Sequence, residues 1–183
     1  MKKSLPIIII LAIGIIMFFV FKPEVQRTPV TDLQNNSNTM NISSTAFGHN
    51  EKIPSKYTCD GKNINPPLTI ANVPKNTKSL ALIMDDPDAL SGTWVHWISW
   101  NIDPETTAIY EKSILGVEGI TSFGKAGYGG PCPPAGTHHY SFRLYALDTM
   151  LDLTEGSTIA DLIKAMQGHI LDQSELVGLY QHL

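Results

Sequence analysis

The sequence is poor in arginine and in clusters of basic residues, and this shortage excludes one class of partner. Residues 41–183 contain a single arginine, Arg143. Four of the 13 basic residues and two of the 17 acidic residues precede residue 41, so the remainder carries 9 basic and 15 acidic residues and a net charge of −6. Binding to nucleic acid requires clustered lysine and arginine that neutralise phosphates. We therefore expect no nucleic-acid partner, although one small anion held in a local pocket remains compatible with this charge.

Cysteine is also scarce, and its spacing excludes the common zinc motifs. The two cysteines, Cys59 and Cys132, are isolated from each other in sequence and form no CxxC pair. Two are too few for a disulfide scaffold, but a single bridge is permissible in an exported domain of this size. We expect a disulfide between them, and the alternative is two buried thiols.

The N-terminal segment is apolar and lacks a cleavage pattern. Two lysines precede residues 5–21, a run of 17 residues without charge, which is short for a membrane span and long for a signal-peptide core. No small-x-small cleavage pattern follows. We therefore expect residues 1–21 to be an uncleaved membrane anchor that leaves the domain outside the cytoplasm. The alternative is a cleaved signal, which would give a secreted or periplasmic protein.

Composition then divides the rest of the chain into a linker and one domain. Residues 22–40 are polar, with two prolines and a run of asparagine, serine and threonine, which is typical of a flexible linker. Residues 41–183 are long enough for one ordinary globular domain.

Hydrophobic patterning predicts a mainly β domain with one good helix. Strands are expected at residues 40–47, 68–73, 79–86, 93–102 and 174–180, with a further strand in the second half of residues 127–148. Residues 104–126 predict one short strand or an irregular crossing loop. A helix is expected from a cap at Thr154 or Ser157 to about Leu171, because apolar residues recur there at helical spacing.

The stretch 127–148 combines a loop rich in glycine and proline with an alternating strand. Strand geometry places His138 and Tyr140 on one face and His139 on the other. On the strand at residues 93–102, the same alternation places Trp94, His96, Ile98 and Trp100 on one face. These histidines are candidate ligand-binding groups, and the alternative is that they only pack in the core or bond to nearby loops.

Three motifs in order resemble the phosphatidylethanolamine-binding proteins, also called Raf kinase inhibitor-like proteins. They are Asp86-Pro87-Asp88-Ala89, Trp94-Val95-His96-Trp97 and Gly130-Pro131-Cys132-Pro133-Pro134-Ala135-Gly136-Thr137-His138-His139-Tyr140. The similarity extends from about residue 41 to the C-terminus and is greater to the prokaryotic branch of that family. It implies a large antiparallel sheet packed on a smaller sheet, with peripheral helices.

The resemblance also implies a small surface cavity that binds anions such as phosphate or a phospholipid head group. The lining of the family's cavity corresponds to Asp86, His96, His138 and Tyr140, and its rim corresponds to Pro87, Gly130 and Pro131. No cofactor, metal site or catalytic residue is implied. Two imidazoles and a tyrosine hydroxyl can donate hydrogen bonds to an anion, and we expect Asp86 to orient one imidazole.

Two positions depart from the family's pattern. Arginine usually follows the cavity histidine, and this chain has His139 there. The acidic motif usually ends in proline, and this chain has Leu90, so the following turn is less rigidly preset. Because position 139 is expected to face away from the cavity, we expect the anion site to survive both changes.

These features favour non-enzymatic binding of an anionic, phosphate-bearing small molecule or lipid head group. One alternative is a protein–protein regulator, because the family includes kinase inhibitors. The other is a metal-dependent hydrolase using Asp86, His96 and His138.

Overall fold

The computed structural model describes residues 39–182, which form two β-sheets and one α-helix. The architecture is mainly β, as the sequence predicts. The elements are β1 (Asn41–Ser44), β2 (Glu51–Lys52), β3 (Leu68–Ala71), β4 (Ser79–Asp86), β5 (Trp94–Ile102), β6 (Ala108–Ile109), β7 (Val117–Glu118), β8 (Thr137–Leu147), α1 (Ile159–Met166) and β9 (Ile170–Gln181). A 3₁₀ turn, Ser55–Tyr57, follows β2. Residues 104–126 thus contribute two very short strands.

The large sheet has six strands in the order β2-β9-β8-β4-β5-β7, and the small sheet has three in the order β1-β3-β6. All pairings in both sheets are antiparallel except that of β2 with β9. Strand β4 is buried at every position, because it lies at the centre of the large sheet with both faces covered. This explains its nearly continuous apolar sequence.

Alternating residues of the large sheet pack into two separate cores. On β4, Leu82 and Met84 join a core that also contains Ile42 and Ile70 of the small sheet. Ile83, between them in sequence, joins a core with Leu162 of α1. The small sheet therefore covers one face of the large sheet, and the helix covers part of the other.

The expectation that Trp94, His96, Ile98 and Trp100 share one face is wrong. Met84 pairs with Trp97 and the next residue, Asp85, pairs with Val95, so β5 has an extra residue, His96, at this point. This β-bulge breaks the two-residue period. As a result, Ile98 and Trp100 pack in the helix-side core, whereas His96 contacts Tyr140 on the opposite side of the sheet, with ring centroids 5.2 Å apart.

The helix is shorter than expected, and its cap is a different residue. Thr158 is the N-cap and forms a capping box with Asp161: the Asp161 carboxylate accepts from the Thr158 backbone N–H at 2.8 Å. The helix ends at Met166 rather than near Leu171. Gly168 has a φ of 79°, a conformation that terminates helices. Ile170 and Leu171 consequently begin β9.

The predicted anchor, residues 1–21, and nearly all of the predicted linker, residues 22–40, lie outside the described residues. Within residues 39–182, no helix is long and apolar enough to cross a membrane. Met40 is buried, and its backbone N–H donates to the Asp172 carboxylate at 3.0 Å. The packing of the described domain therefore includes the residue that precedes β1.

The cap assignment gives a testable difference between two neighbouring threonines. Replacing an N-cap threonine with alanine costs about 1 kcal/mol, so we expect Thr158→Ala to lower the free energy of unfolding by about that amount. Thr154→Ala, at one of the positions that the sequence alone favoured, should change it by less than about 0.5 kcal/mol. Chemical denaturation measures both values. Equal losses in the two variants would contradict the assignment.

Candidate functional site

A cavity of about 300 Å³ lies where β4, β5 and β8 bring polar residues together. Asp86 is the last residue of β4, His96 is near the start of β5, and His138 and Tyr140 are near the start of β8. Because β4 lies between β5 and β8 in the sheet, these side chains converge at one end of it. The lining consists of Asp86, Ala89, Leu90, Ser91, Trp94, His96, Phe123, Cys132, Pro133, Pro134, His138 and Tyr140.

Asp86 and His138 form a buried pair at the polar end of this cavity. The His138 Nδ1 atom lies 2.8 Å from Asp86 Oδ2, and the two side chains are only 9% and 5% exposed. The other carboxylate oxygen, Oδ1, accepts from the Asp88 backbone N–H at 2.9 Å. Both oxygens of Asp86 are therefore engaged. The carboxylate fixes the orientation of the His138 ring, which is the geometry that we expected of it.

His96 is fixed in a similar way by a backbone carbonyl. Its Nδ1 lies 2.7 Å from the oxygen of Gly129, which can only accept, so Nδ1 carries a proton. The ring also packs edge-on against Phe123, with centroids 5.4 Å apart. Burial lowers the pKa of His96, against the smaller opposing effects of the Gly129 carbonyl and the Asp86 charge. The imidazole is therefore neutral at neutral pH, with a bare Nε2.

The Tyr140 hydroxyl is buried without a partner. The residue is fully buried, and its oxygen has no hydrogen-bond partner among the described residues. Burial and the nearby Asp86 charge raise the pKa of Tyr140 well above its usual range, so the hydroxyl keeps its proton. A buried donor left unpaired is costly and uncommon in folded proteins. The Asp86 carboxylate and the backbone of Cys132 lie close to this hydroxyl, and Tyr140 forms part of the lining of the cavity.

No lysine or arginine lines the cavity within the part of the chain that the structure describes. The single arginine of the domain, Arg143, instead makes an ion pair with Asp85. Asp85 and Arg143 lie on the helix side of the sheet, which faces away from the cavity. Ile83 and Tyr145, two residues away on the same strands, pack on that side. Any positive charge within the cavity wall must therefore come from protonated His96 or His138.

His139 faces away from the cavity, as strand alternation predicts. Its side chain is half exposed, and its Nδ1 lies 2.7 Å from Asp88 Oδ2. The His139 backbone N–H donates to the same oxygen at 2.9 Å. These hydrogen bonds lower the pKa of Asp88. His139, at the position where the resemblance leads one to expect arginine, is therefore a partner of the Asp88 loop and not a lining residue.

The three positions expected at the rim do not line the cavity. Pro87 is exposed, whereas Gly130 and Pro131 are buried behind the wall formed by residues 132–134. The Gly130 N–H donates to Asn63 Oδ1 at 2.7 Å. A Cβ at position 130 would lie 2.5 Å from the Tyr57 carbonyl oxygen, so only glycine fits there. Gly130 therefore supports the wall, and its backbone also lies near the His96 ring.

The wall is also tied covalently to the loop after the 3₁₀ turn. Cys59 and Cys132 form the expected disulfide, with Cα atoms 5.5 Å apart. The Cys59 N–H donates to the Pro131 carbonyl at 3.1 Å. Because Cys132 lines the cavity, the bridge holds one part of the wall directly.

The mouth of the cavity contains apolar side chains that the sequence did not identify. Phe123 lies in the irregular segment 104–126 and packs edge-on against Trp94, with centroids 5.5 Å apart. Leu90 is 92% exposed and occupies the position where the resemblance leads one to expect proline. The sequence places Trp94 on a strand and in one of the three motifs but does not predict it as a lining residue. No sequence pattern indicated Phe123, because its role depends on a loop returning over β5.

Comparisons with known proteins agree with this fold. Residues 43–181 match the family model described as phosphatidylethanolamine-binding protein. A UPF0098 protein of Methanothermobacter thermautotrophicus is 50% identical over 149 residues, which cover 78% of this chain and 99% of that protein. A UPF0098 protein of Pyrococcus horikoshii is 51% identical over 148 residues, which cover 75% of each protein.

Two solved structures are similar to this one. A crystal structure of a phosphatidylethanolamine-binding protein homologue from Chlamydia trachomatis superposes with a TM-score of 0.78 at 42% identity, covering 80% of this chain and 100% of that chain. The structure of E. coli YbcL gives a TM-score of 0.73 at 30% identity, covering 79% of this chain and 99% of that one.

Proposed function

The chain belongs to the phosphatidylethanolamine-binding protein family, and we propose that its cavity binds an anionic, phosphate-bearing small molecule or lipid head group without transforming it. The observation that carries this proposal is a set of polar atoms in the cavity wall for which the described residues provide no hydrogen-bond partner. The Tyr140 hydroxyl has no partner among the described residues. The Nδ1 atoms of His96 and His138 are both engaged by other groups, which leaves each Nε2 as the ring nitrogen available to a ligand.

These atoms couple anion binding to protonation. A neutral imidazole whose Nδ1 carries the proton can only accept a hydrogen bond at Nε2. An anion such as sulfate offers acceptors alone, so it gains a hydrogen bond from Nε2 only after that nitrogen takes up a proton. The anion in turn favours the charged ring. Binding of the anion and protonation of the imidazole therefore support each other.

The size and lining of the cavity indicate that the anion carries an organic group. The volume of about 300 Å³ is at the lower end of the range of roughly 300–1,000 Å³ for small-molecule pockets. Its polar groups lie at the sheet end, whereas Leu90, Trp94 and Phe123 contribute apolar surface. A phosphate ester with an apolar substituent matches both parts, since the phosphate would meet the donors and the substituent the apolar side chains.

The metal-dependent hydrolase is not supported by the positions of the donor atoms. Within residues 39–182, Asp86, His96 and His138 do not bring three ligand atoms together as a metal-binding group. The Nδ1 atoms of both histidines point at Gly129 and Asp86 instead. No described feature favours a protein–protein regulator over ligand binding.

The predicted N-terminal segment determines on which side of the membrane the binding domain would lie. If residues 1–21 anchor the chain with its N-terminus inside the cell, the binding domain lies outside the cytoplasm; if they are cleaved, it is released there. Either location would expose the cavity to extracytoplasmic phosphate esters or to lipid head groups. The oxidised cysteine pair is compatible with that environment.

We expect the affinity for sulfate to rise as pH falls. Sulfate keeps its charge over the range from about pH 8 to about pH 5.5, so a change in affinity there reports on the protein. Because burial lowers the pKa of His96 below its ordinary value of about 6.5, the rise should continue below that value. Linkage to one proton allows up to about tenfold per pH unit. Isothermal titration should therefore show affinity at least tenfold higher at the acidic end.

His138→Ala should weaken sulfate binding, because it removes one of the two imidazole rings that line the cavity. His139→Ala is the matched control, because His139 is adjacent but does not line the cavity; it should leave sulfate binding unchanged. Circular dichroism at each pH shows that the variants remain folded. Affinity that is constant or increases towards alkaline pH, together with no effect of His138→Ala, would disprove the proposal.

Tyr140→Phe should have opposite effects on stability and on binding. The free protein should be equally or more stable, because the change removes a buried hydroxyl without a partner. Affinity for sulfate or phenyl phosphate should fall about tenfold or more, since a hydrogen bond to a charged group is worth roughly 1.5–3 kcal/mol. Tyr57→Phe is the control, since its hydroxyl donates to Glu111 at 2.7 Å. It should cost stability without affecting affinity.

Titration calorimetry and thermal unfolding measure the two effects separately. Unchanged affinity in Tyr140→Phe would show that the hydroxyl is not a ligand donor. A large loss of stability would show that it has a partner in the folded protein.

A further inference from the structure

We propose that the reduced chain binds a divalent, thiophilic metal ion such as Zn²⁺ between Cys59, Cys132 and His182. This is a second site, separate from the polar end of the cavity. Within residues 39–182, these three form the one group of histidine, cysteine and acidic side chains whose ligand atoms all lie within 4.8 Å of one another. In the oxidised protein the two sulfur atoms are bonded to each other, so the metal site exists only after reduction.

The positions of the three ligand atoms match those around a tetrahedral ion. Zinc binds sulfur at about 2.3 Å and imidazole nitrogen at about 2.0–2.1 Å, so neighbouring ligand atoms lie roughly 3.5–3.8 Å apart. Cys59 Sγ is 3.7 Å from His182 Nδ1. The two sulfur atoms separate when their bond is broken, and each belongs to a loop that other contacts hold in place.

Asp60 completes the surroundings of this site. Its Oδ1 lies 2.9 Å from His182 Nδ1, and its Oδ2 accepts a short hydrogen bond from the Tyr180 hydroxyl. A carboxylate in this position holds the His182 ring towards Cys59. When a metal replaces the proton on Nδ1, the same carboxylate remains beside the His182 ring. Cysteine and histidine are both ligands that zinc accepts.

A phosphine can reduce the disulfide to two thiols in a balanced reaction with water. The phosphine donates two electrons to the disulfide and takes an oxygen atom from water, becoming a phosphine oxide. The two hydrogens of that water give the two thiols. Zinc then binds both sulfurs as thiolates, releasing two protons, and His182 supplies a nitrogen lone pair. No other reactant is needed.

Metal binding would preserve the link between the cavity wall and its supporting loop. Cys132 lines the cavity, and Cys59 belongs to the loop behind it. His182 follows β9, which pairs with β8 along its whole length, including His138 opposite Tyr180. A metal ion would therefore join the wall, the loop and the end of β9, whereas the disulfide joins only the first two.

The test compares oxidised and reduced full-length chain, kept in mild detergent because of its apolar N-terminus. A phosphine reductant is suitable, since a thiol would compete for the metal. Zinc affinity is measured against a coloured chelator, and Co²⁺ is added separately to observe the thiolate-to-cobalt absorption band. Reduced protein should bind one zinc ion per chain and give the cobalt band, and oxidised protein should do neither.

Two variants separate the proposed site from other zinc binding. His182→Ala should weaken zinc binding by about tenfold or more. His169→Ala is the matched control, because it also removes a half-exposed histidine paired with an aspartate, 2.8 Å from Asp148; it should bind like the wild type. Cys132→Ser should abolish the cobalt band or reduce it to a single-thiolate intensity.

Three results would overturn the proposal. They are equal zinc affinity in oxidised and reduced protein, unchanged affinity in His182→Ala, and a reduced chain that is unfolded by circular dichroism and is not refolded by stoichiometric zinc. The sulfate-binding measurements are made on oxidised protein, so failure here leaves the proposed anion site untouched.

Discussion

The hydrogen bond between Asp86 and His138 is the constraint on which the cavity depends. It places a buried carboxylate at the end of the central strand and turns the Nδ1 side of His138 away from the ligand space. A carboxylate repels anions, and no lysine or arginine among the described lining residues compensates for it. An anion in the proposed site would therefore depend on neutral hydrogen-bond donors, such as the Tyr140 hydroxyl, and on imidazole rings that become charged. The proposal that binding is coupled to protonation follows from this set of side chains.

Much of this arrangement follows from sequence, where local patterns and global packing agree. Alternation on β8 correctly separated His138 and Tyr140 from His139, because the strand is regular there. The buried run of β4 was located to the residue, since both of its faces are covered. The same reasoning failed on β5, where the bulge at His96 reverses the faces of Ile98 and Trp100. A bulge is set by pairing with a neighbouring strand, which the sequence of one strand does not reveal.

Features that depend on distant segments were missed for a related reason. Phe123 reaches the cavity because its loop returns over β5, and Gly130 supports the wall because it packs against the Tyr57 carbonyl. The disulfide was expected from the number of cysteines and the predicted export, as a link between the glycine- and proline-rich loop of the candidate pocket and an earlier loop, and the fold places Cys132 in the cavity wall as expected. The helix was extended too far, because the apolar spacing continues through Gly168 into β9.

The protonation state of His96 tests the account most directly. Nitrogen NMR of isotopically labelled histidine distinguishes a bare Nε2 from a protonated one, without and with saturating sulfate at neutral pH. The account predicts a ring protonated only at Nδ1 in the free protein, because of the Gly129 carbonyl and burial, and a proton at Nε2 once sulfate is bound. Sulfate that binds in the cavity while Nε2 stays bare would contradict it.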